Sequence, residues 1–242
     1  MKLRELSWRA VQELDPDVAV LPVGSTEQHG PHNPVGLDAI VANETAAEAT
    51  ERTETLLLPS VEVGVAEHHR RFPGTLYVRP ETLRRYVTDV VRSVAYHGIE
   101  KVVVVSGHGG NAGVLSDVCG RVSREGTAYA VMWQWMDAFP DEVDHAGKSE
   151  TSFLLHLRPE LVGEPVVGDA DEWGRHVHGA SVAHYTHEFT ENGVEGDARE
   201  ASAEHGAALF ENCVAELVSL VEWVRAADWD AEALESFIPD PE

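Results

Sequence analysis

Cysteine is nearly absent: Cys119 and Cys213 are the only two in 242 residues. Two thiols cannot build a disulfide framework, and these two lack metal-site spacing. Both fall in helix-like apolar patterns, so they read as buried, reduced side chains. Lysine is scarce too, with only Lys2, Lys101 and Lys148. Lysine and arginine together number 18 against 42 acidic residues, a formal net charge of -24. Such a field repels nucleic acid and anionic membranes, which argues against both as partners. The acids are dispersed, from Glu44, Glu48, Glu51 and Glu54 to Glu188, Glu191, Glu195, Asp197 and Glu200. Dispersed acid with little lysine reads as a solvated, halophilic surface, on which salt screens the self-repulsion. An acidic face for a cationic partner is the competing reading. No apolar run approaches the ~20 residues needed to span a bilayer. The opening segment MKLRELSWRAVQELDPD lacks the apolar core of a signal peptide. A cytoplasmic location is expected.

What is present is ordinary for a globular chain, with 43% hydrophobic and 25% charged residues. The length suits one domain over residues 1–242. Val18 to Val23 is a short β-rich run, and Leu56 to Leu58 a second. Ala39 to Arg52 reads as a helix. From Pro80, Leu83, Tyr86, Val87, Val90, Val91 and Val94 recur at helical intervals, and Gly98 closes the run. Val102 to Val105 is a β-branched strand, followed by a helix over Ala112–Arg124 and a strand over Ala128–Trp133. Gly163 to Glu195 has little periodicity and reads as loops and short strands. A last helix carries Phe210, Cys213, Leu217, Leu220 and Val224 on one face. Strands alternating with helices imply an α/β fold around a mostly parallel sheet.

The chemistry-bearing residues cluster at strand ends, where open α/β sheets bind ligands. The first strand opens into Gly24-Ser25-Thr26-Glu27-Gln28-His29-Gly30-Pro31-His32. Glu27 and His29, two apart, leave an extended segment on the same face. Asp38 then begins the next helix, as a cap or as a ligand. The third strand opens into Ser106-Gly107-His108-Gly109-Gly110-Asn111. Alone, His108 would read as structural, and the glycines as a phosphate turn, but no GK[ST] or GxGxxG pattern accompanies them. Together, two carboxylates and two imidazoles on one rim suit Zn²⁺, Mn²⁺ or Fe²⁺. A bridging Asp is an economical way to hold a pair of cations. A third segment, Asp144-His145-Ala146-Gly147-Lys148-Ser149-Glu150-Thr151-Ser152, adds Glu150 as a ligand, as an orienting group or as a helix-start carboxylate. His145 could shuttle a proton. His176, His178, His184 and His187 read as surface or pocket-rim residues.

These segments together resemble the creatininase (creatinine amidohydrolase) family. The match includes LPVGSTEQHGPHNPVGLDAIVA at residues 21–42, FPGTL at 72–76, VVVVSGHGGNAG at 102–113, DHAGKSETS at 144–152 and ENGVEGDAREAS at 191–202. The resemblance implies a three-layer α/β/α sandwich with two divalent metal ions, Zn²⁺ first, Mn²⁺ or Fe²⁺ next. Carried over, Glu27 and His108 fall on ligands of one metal, His29 on the other and Asp38 on the bridge. Creatinine-hydrolysing members carry Tyr-Glu where this chain has Gly109-Gly110, and that Glu is a ligand. They carry a Trp where this chain has Asp141. Creatinine is therefore not the expected substrate, and Glu150 is the candidate for the missing carboxylate.

The expected function is hydrolysis of a non-peptide or cyclic C–N amide bond of a small molecule by a metal-activated water, with Asp144 or His145 passing a proton to the departing nitrogen. Two narrower alternatives are a deformylase of a ribosylaminopyrimidine phosphate in flavin and deazaflavin synthesis, and a peptidase acting on a mycofactocin-type precursor. A metal-containing binding protein of the same fold is the non-enzyme alternative. The resemblance also implies a homo-oligomer, often a hexamer.

Overall fold

The computed structural model describes residues 1–139, 144–170 and 172–229. In chain order the elements are α1 (Trp8–Leu14), β1 (Val18–Val23), α2 (Leu37–Thr53), β2 (Leu56–Leu57), α3 (Pro80–Tyr96), β3 (Lys101–Ser106), α4 (Ala112–Arg124), β4 (Tyr129–Gln134), α5 (Lys148–Leu157), the two-residue strands β5 (His176–Val177) and β6 (Ala180–Ser181), and α6 (Ala203–Ala226). The main sheet runs β2-β1-β3-β4, and every pairing in it is parallel. β5 and β6 form a separate antiparallel pair.

β1 and β3 read as continuous apolar runs because both of their faces are covered. Ala19, Leu21, Val23, Val102 and Val104 pack against Leu83, Val87 and Val91 of α3 and Leu115, Val118 and Val122 of α4. The alternate residues Val18, Val20, Val103 and Val105 pack against Ala42, Ala46 and Ala49 of α2 and Leu217, Val221 and Val224 of α6. The result is a three-layer α/β/α sandwich. A third cluster joins Leu37 and Val41 of α2 to Trp135, Phe153, Leu154, Leu209 and Cys213, and it docks α5 on the body. Cys119 and Cys213 are free and buried, and burial raises both thiols to about 12.

Two details differ from the sequence reading. α2 starts at Leu37, so Asp38 lies inside the first turn, and its N-cap, Gly36, makes no side-chain bond. The buried stripe of α6 is Leu209, Cys213, Val214, Leu217, Val221 and Val224, with Phe210 and Leu220 on its flanks. Helix α1 escapes periodicity because none of its residues is buried.

The sheet order positions the site. From β1 the chain passes to β2 on one side, then returns to β3 on the other. The switch point of the sheet therefore lies between β1 and β3. These strands pair in register from Val18↔Lys101 to Val23↔Ser106. Their carboxyl ends finish level, and the segments that follow emerge side by side.

Candidate metal centre

Close contact sets the rim. A Cβ on Gly107 would lie 2.1 Å from the Asp38 carbonyl oxygen, so only glycine lets the turn after β3 press on the first turn of α2. Trp135 Nε1 donates to the Gly107 carbonyl at 3.1 Å and pins that turn from below. Asn111 donates to the Gly24 carbonyl (2.9 Å) and accepts from Val65 N (2.9 Å), tying together the segments that follow β1, β2 and β3. From the far side, the Asp144 carboxylate accepts from Ser149 N (2.9 Å) and Glu150 N (3.5 Å) and so caps α5. His32 approaches the Ala146 carbonyl at 3.0 Å, and Asn33 donates to Thr151 Oγ1 at 2.9 Å. These bonds bring Glu150, in the first turn of α5, up to the β1 rim.

Glu27, His29, Asp38, His108 and Glu150 converge, each no more than 6% exposed. His29 Nε2 lies 3.1 Å from Asp38 Oδ1 and 3.6 Å from Glu150 Oε2. His108 Nε2 lies 3.1 Å from Glu27 Oε2, and its Nδ1 is 3.2 Å from Asp38 Oδ2. His29 Nδ1 faces the Glu27 carbonyl at 3.2 Å; a proton held there leaves the Nε2 lone pair facing the carboxylates. Glu27 Oε1 and Oε2, His29 Nε2 and Asp38 Oδ2 are buried without a hydrogen-bond partner. Buried polar atoms are almost always paired, so four orphans in one cluster mark a place built for something else. The donor atoms fall into triads that could hold a metal, each within 4.8 Å: Glu27–Asp38–His108, His29–Asp38–Glu150 and Glu27–His29–His145. Asp38 belongs to the first two.

The electrostatics agree. Burial opposes charge on Glu27, yet the imidazoles of His108 and His69 outweigh it and hold the carboxyl well below its usual range. Burial also opposes charge on His29 and His108; Asp38 with Glu150, and Glu27 with Asp38, raise them instead to about 10 and about 9. Protons thus sit on the imidazoles that cations would claim. Glu150 is pushed up to about 8, chiefly by burial.

A cavity of about 400 Å³ opens over this cluster. Asp144 and His145 line it, so every residue singled out in the sequence for metal or proton chemistry meets at one place. Burial raises Asp144 to about 6; burial and the charges of His29 and His69 keep His145 well below its ordinary value. His176, His178, His184 and His187 are exposed. Asp141 lies outside the described residues.

Several site residues were not singled out in the sequence. Gln28 Nε2 reaches Gly193 O (3.1 Å), His145 Nε2 (2.8 Å) and His69 Nδ1 (3.2 Å), while its Oε1 accepts from Gly30 N (2.9 Å). His69 Nε2 in turn lies 3.2 Å from Glu27 Oε1. Trp173 packs on His145 with ring centroids 4.3 Å apart, and Phe189 meets Trp173 edge-on at 5.1 Å. His68 and Glu195 complete the wall. The adjacent pair His68-His69, just ahead of FPGTL, was the one visible hint. Gly110 explains a departure: a Cβ there would lie 2.3 Å from His108 Nε2 and 2.7 Å from the Val65 carbonyl. A side chain at position 110 would press on His108, beside the Glu27–Asp38–His108 triad, whereas Glu150 lies with His29 and Asp38 in the other.

The profile of the family described as Creatininase: Creatinine amidohydrolase matches residues 4–221. The mycofactocin precursor peptide peptidase of Mycolicibacterium smegmatis is 33% identical over 210 residues, 81% of each chain. Its counterpart in Mycobacterium tuberculosis (strain H37Rv) is 37% identical over 151 residues, and the match spans 58% of each chain. A solved mutant creatininase of Zn-Zn type aligns with a TM-score of 0.80 at 25% identity, covering 93% of this chain and 98% of that one.

Proposed function

The chain belongs to the creatininase family, and we propose on that premise that it is a metal-dependent amidohydrolase cleaving a C–N amide bond other than a peptide bond. The observation that carries this reading is the pair of buried triads sharing Asp38, with orphaned oxygens and an orphaned imidazole nitrogen facing one another. Glu27 and His108 would hold one divalent cation, His29 and Glu150 the other, and Asp38 both. A donor set of carboxylate and imidazole without thiolate suits Zn²⁺, with Mn²⁺ and Fe²⁺ as alternatives. Bound there, such cations acidify a water and polarise an amide carbonyl.

The chain's own groups do the rest. Gln28, anchored at both ends of its amide, orients His69 against Glu27 and steadies the His145 ring. His145 or Asp144, both lining the cavity, would pass a proton to the departing nitrogen. Similarity to the mycobacterial peptidases supports a second reading, a precursor-peptide substrate. The dispersed acid supports a halophilic surface, and the family resemblance a homo-oligomer. Among the described residues no helix is long and apolar enough to cross a membrane.

Elemental analysis combined with a C–N hydrolase panel tests the proposal. The expected outcome is two metals per chain, with turnover abolished by chelator dialysis and restored by Zn²⁺ or Mn²⁺. Full activity after chelation, or undiminished activity in Glu27→Ala and His108→Ala, would overturn it. Two metals without turnover would favour the binding protein.

A further inference from the structure

His69 joins two parts of the molecule. Its ring is 1% exposed and lies between Glu27 and a turn at residues 185–189. Nε2 is 3.2 Å from Glu27 Oε1. Nδ1, the other ring nitrogen, is 3.0 Å from Thr186 Oγ1 and 3.2 Å from Gln28 Nε2. A neutral imidazole carries a single proton, so whatever surrounds Nδ1 decides what Nε2 presents to Glu27.

The orientation of Gln28 fixes that choice. Its Oε1 accepts from Gly30 N at 2.9 Å, and its Nε2 donates to the Gly193 carbonyl at 3.1 Å. Two backbone groups thus mark which end of the amide is nitrogen. An amide nitrogen donates and does not accept, so the His69 nitrogen facing it is the bare one and the proton sits on Nε2. Gln28 cannot hold this tautomer alone. One of its hydrogens goes to Gly193, and His145 Nε2, at 2.8 Å, competes with His69 for the other. The Thr186 hydroxyl has no rival acceptor. It is 1% exposed, and among the described residues its only hydrogen bond is to His69 Nδ1.

The turn that presents Thr186 is itself held. Glu188 Oε2 accepts from the backbone N–H groups of His184 (2.6 Å) and Tyr185 (2.8 Å). The Arg70 guanidinium, next in sequence to His69, lies 4.5 Å over the Tyr185 ring. At the other end of the turn Phe189 packs edge-on against Trp173. On the far side of the ring, Nε2 and Glu27 Oε1 are at hydrogen-bond distance but not yet aligned as a bond. A small rotation of either side chain closes it.

We propose that Thr186 is a positioning residue. It holds His69 in the Nε2–H tautomer, so that His69 steadies Glu27 Oε1 and leaves Oε2, 3.1 Å from His108 Nε2, to a cation. The inference rests on the amidohydrolase reading and adds to its metal centre a residue 117 positions from His69.

Nitrogen NMR of the Zn²⁺-loaded full chain, isotopically labelled in histidine, tests the tautomer. The His69 signals are those lost in His69→Gln. Nδ1 should be bare and Nε2 protonated. Zn²⁺ affinity, measured by competition with a chelating dye, should fall about tenfold in Thr186→Val, the cost of leaving one buried acceptor short of a donor. Thr186→Ser keeps the hydroxyl and should stay within about threefold of wild type. A proton on His69 Nδ1 would overturn the proposal. So would an affinity unmoved in Thr186→Val, or an equal loss in Thr186→Ser, which would make the side chain a matter of packing. The wild-type spectrum decides alone if Thr186→Val does not fold. A wild-type chain that takes up no Zn²⁺ would defeat the amidohydrolase reading and this inference with it; Zn²⁺ uptake with the opposite tautomer would defeat this inference only.

Discussion

The floor and the wall of the cavity both concentrate acid, yet they handle it in opposite ways. On the floor, Glu27, Asp38 and Glu150 face His29 and His108 across 3.1–3.6 Å, and four of their polar atoms lack a hydrogen bond. On the wall, which Asp144, His145, Trp173 and Glu195 line, the Asp144 carboxylate is already engaged by the backbone N–H groups of Ser149 and Glu150. A buried charge without hydrogen bonds is costly and calls for a partner of opposite sign, whereas backbone donors offset part of that cost, and burial still raises Asp144 to about 6. The floor thus has the character of a site awaiting metal, and Asp144 already has backbone partners.

The sharpest way to break this contrast is Asp38→Asn. Losing the residue common to two triads should drop metal content below two per chain and turnover by more than ~100-fold, beyond what orienting groups usually cost. Retained metal with near-normal turnover would mean that the floor does not depend on Asp38. Gln28→Ala probes the link between the two regions, since Gln28 touches both His69 and His145. Turnover should fall by ~10–100-fold with both metals still bound; a loss of metal equal to that of Asp38→Asn would place Gln28 on the floor.

The smallest effect is in stability against pH. In the metal-free protein His29 and His108 bind protons more tightly folded than unfolded. Their contribution is complete below the unfolded value of 6.5 and is lost as pH rises through about 9 and about 10. Glu27 acts oppositely: its contribution holds above the unfolded value of 4.5 and is lost in acid. The metal-free Tm should therefore fall between pH 6.5 and 10, by about 2–4 °C for each kcal/mol lost. The loaded form, its imidazoles already deprotonated, should stay flat across that range. Parallel melting curves check this, and a metal-free Tm that holds constant would contradict the charge balance assigned to the floor.

Legibility followed the same division. Glu27, His29, Asp38 and His108 could be read because strand ends and glycine turns place them on one rim, and β1, β3, α3 and α4 repeat with clear periods. Glu150 was visible as one of several options. The wall was not. Trp173 and Glu195 come from the segment with little periodicity, and Gln28 earns its role only through partners 117 and 165 residues away.

The sequence by itself determined the layers, the parallel strands and the types of ligand offered, because apolar periodicity and local turn chemistry act between near neighbours. Only the tertiary structure decided that Asp38 serves two triads, that Glu150 meets His29 and Asp38, and that Trp173 packs on His145. Those outcomes depend on how α2, α5 and a late loop pack against two strand ends, and distances across the fold are not written in the spacing along the chain.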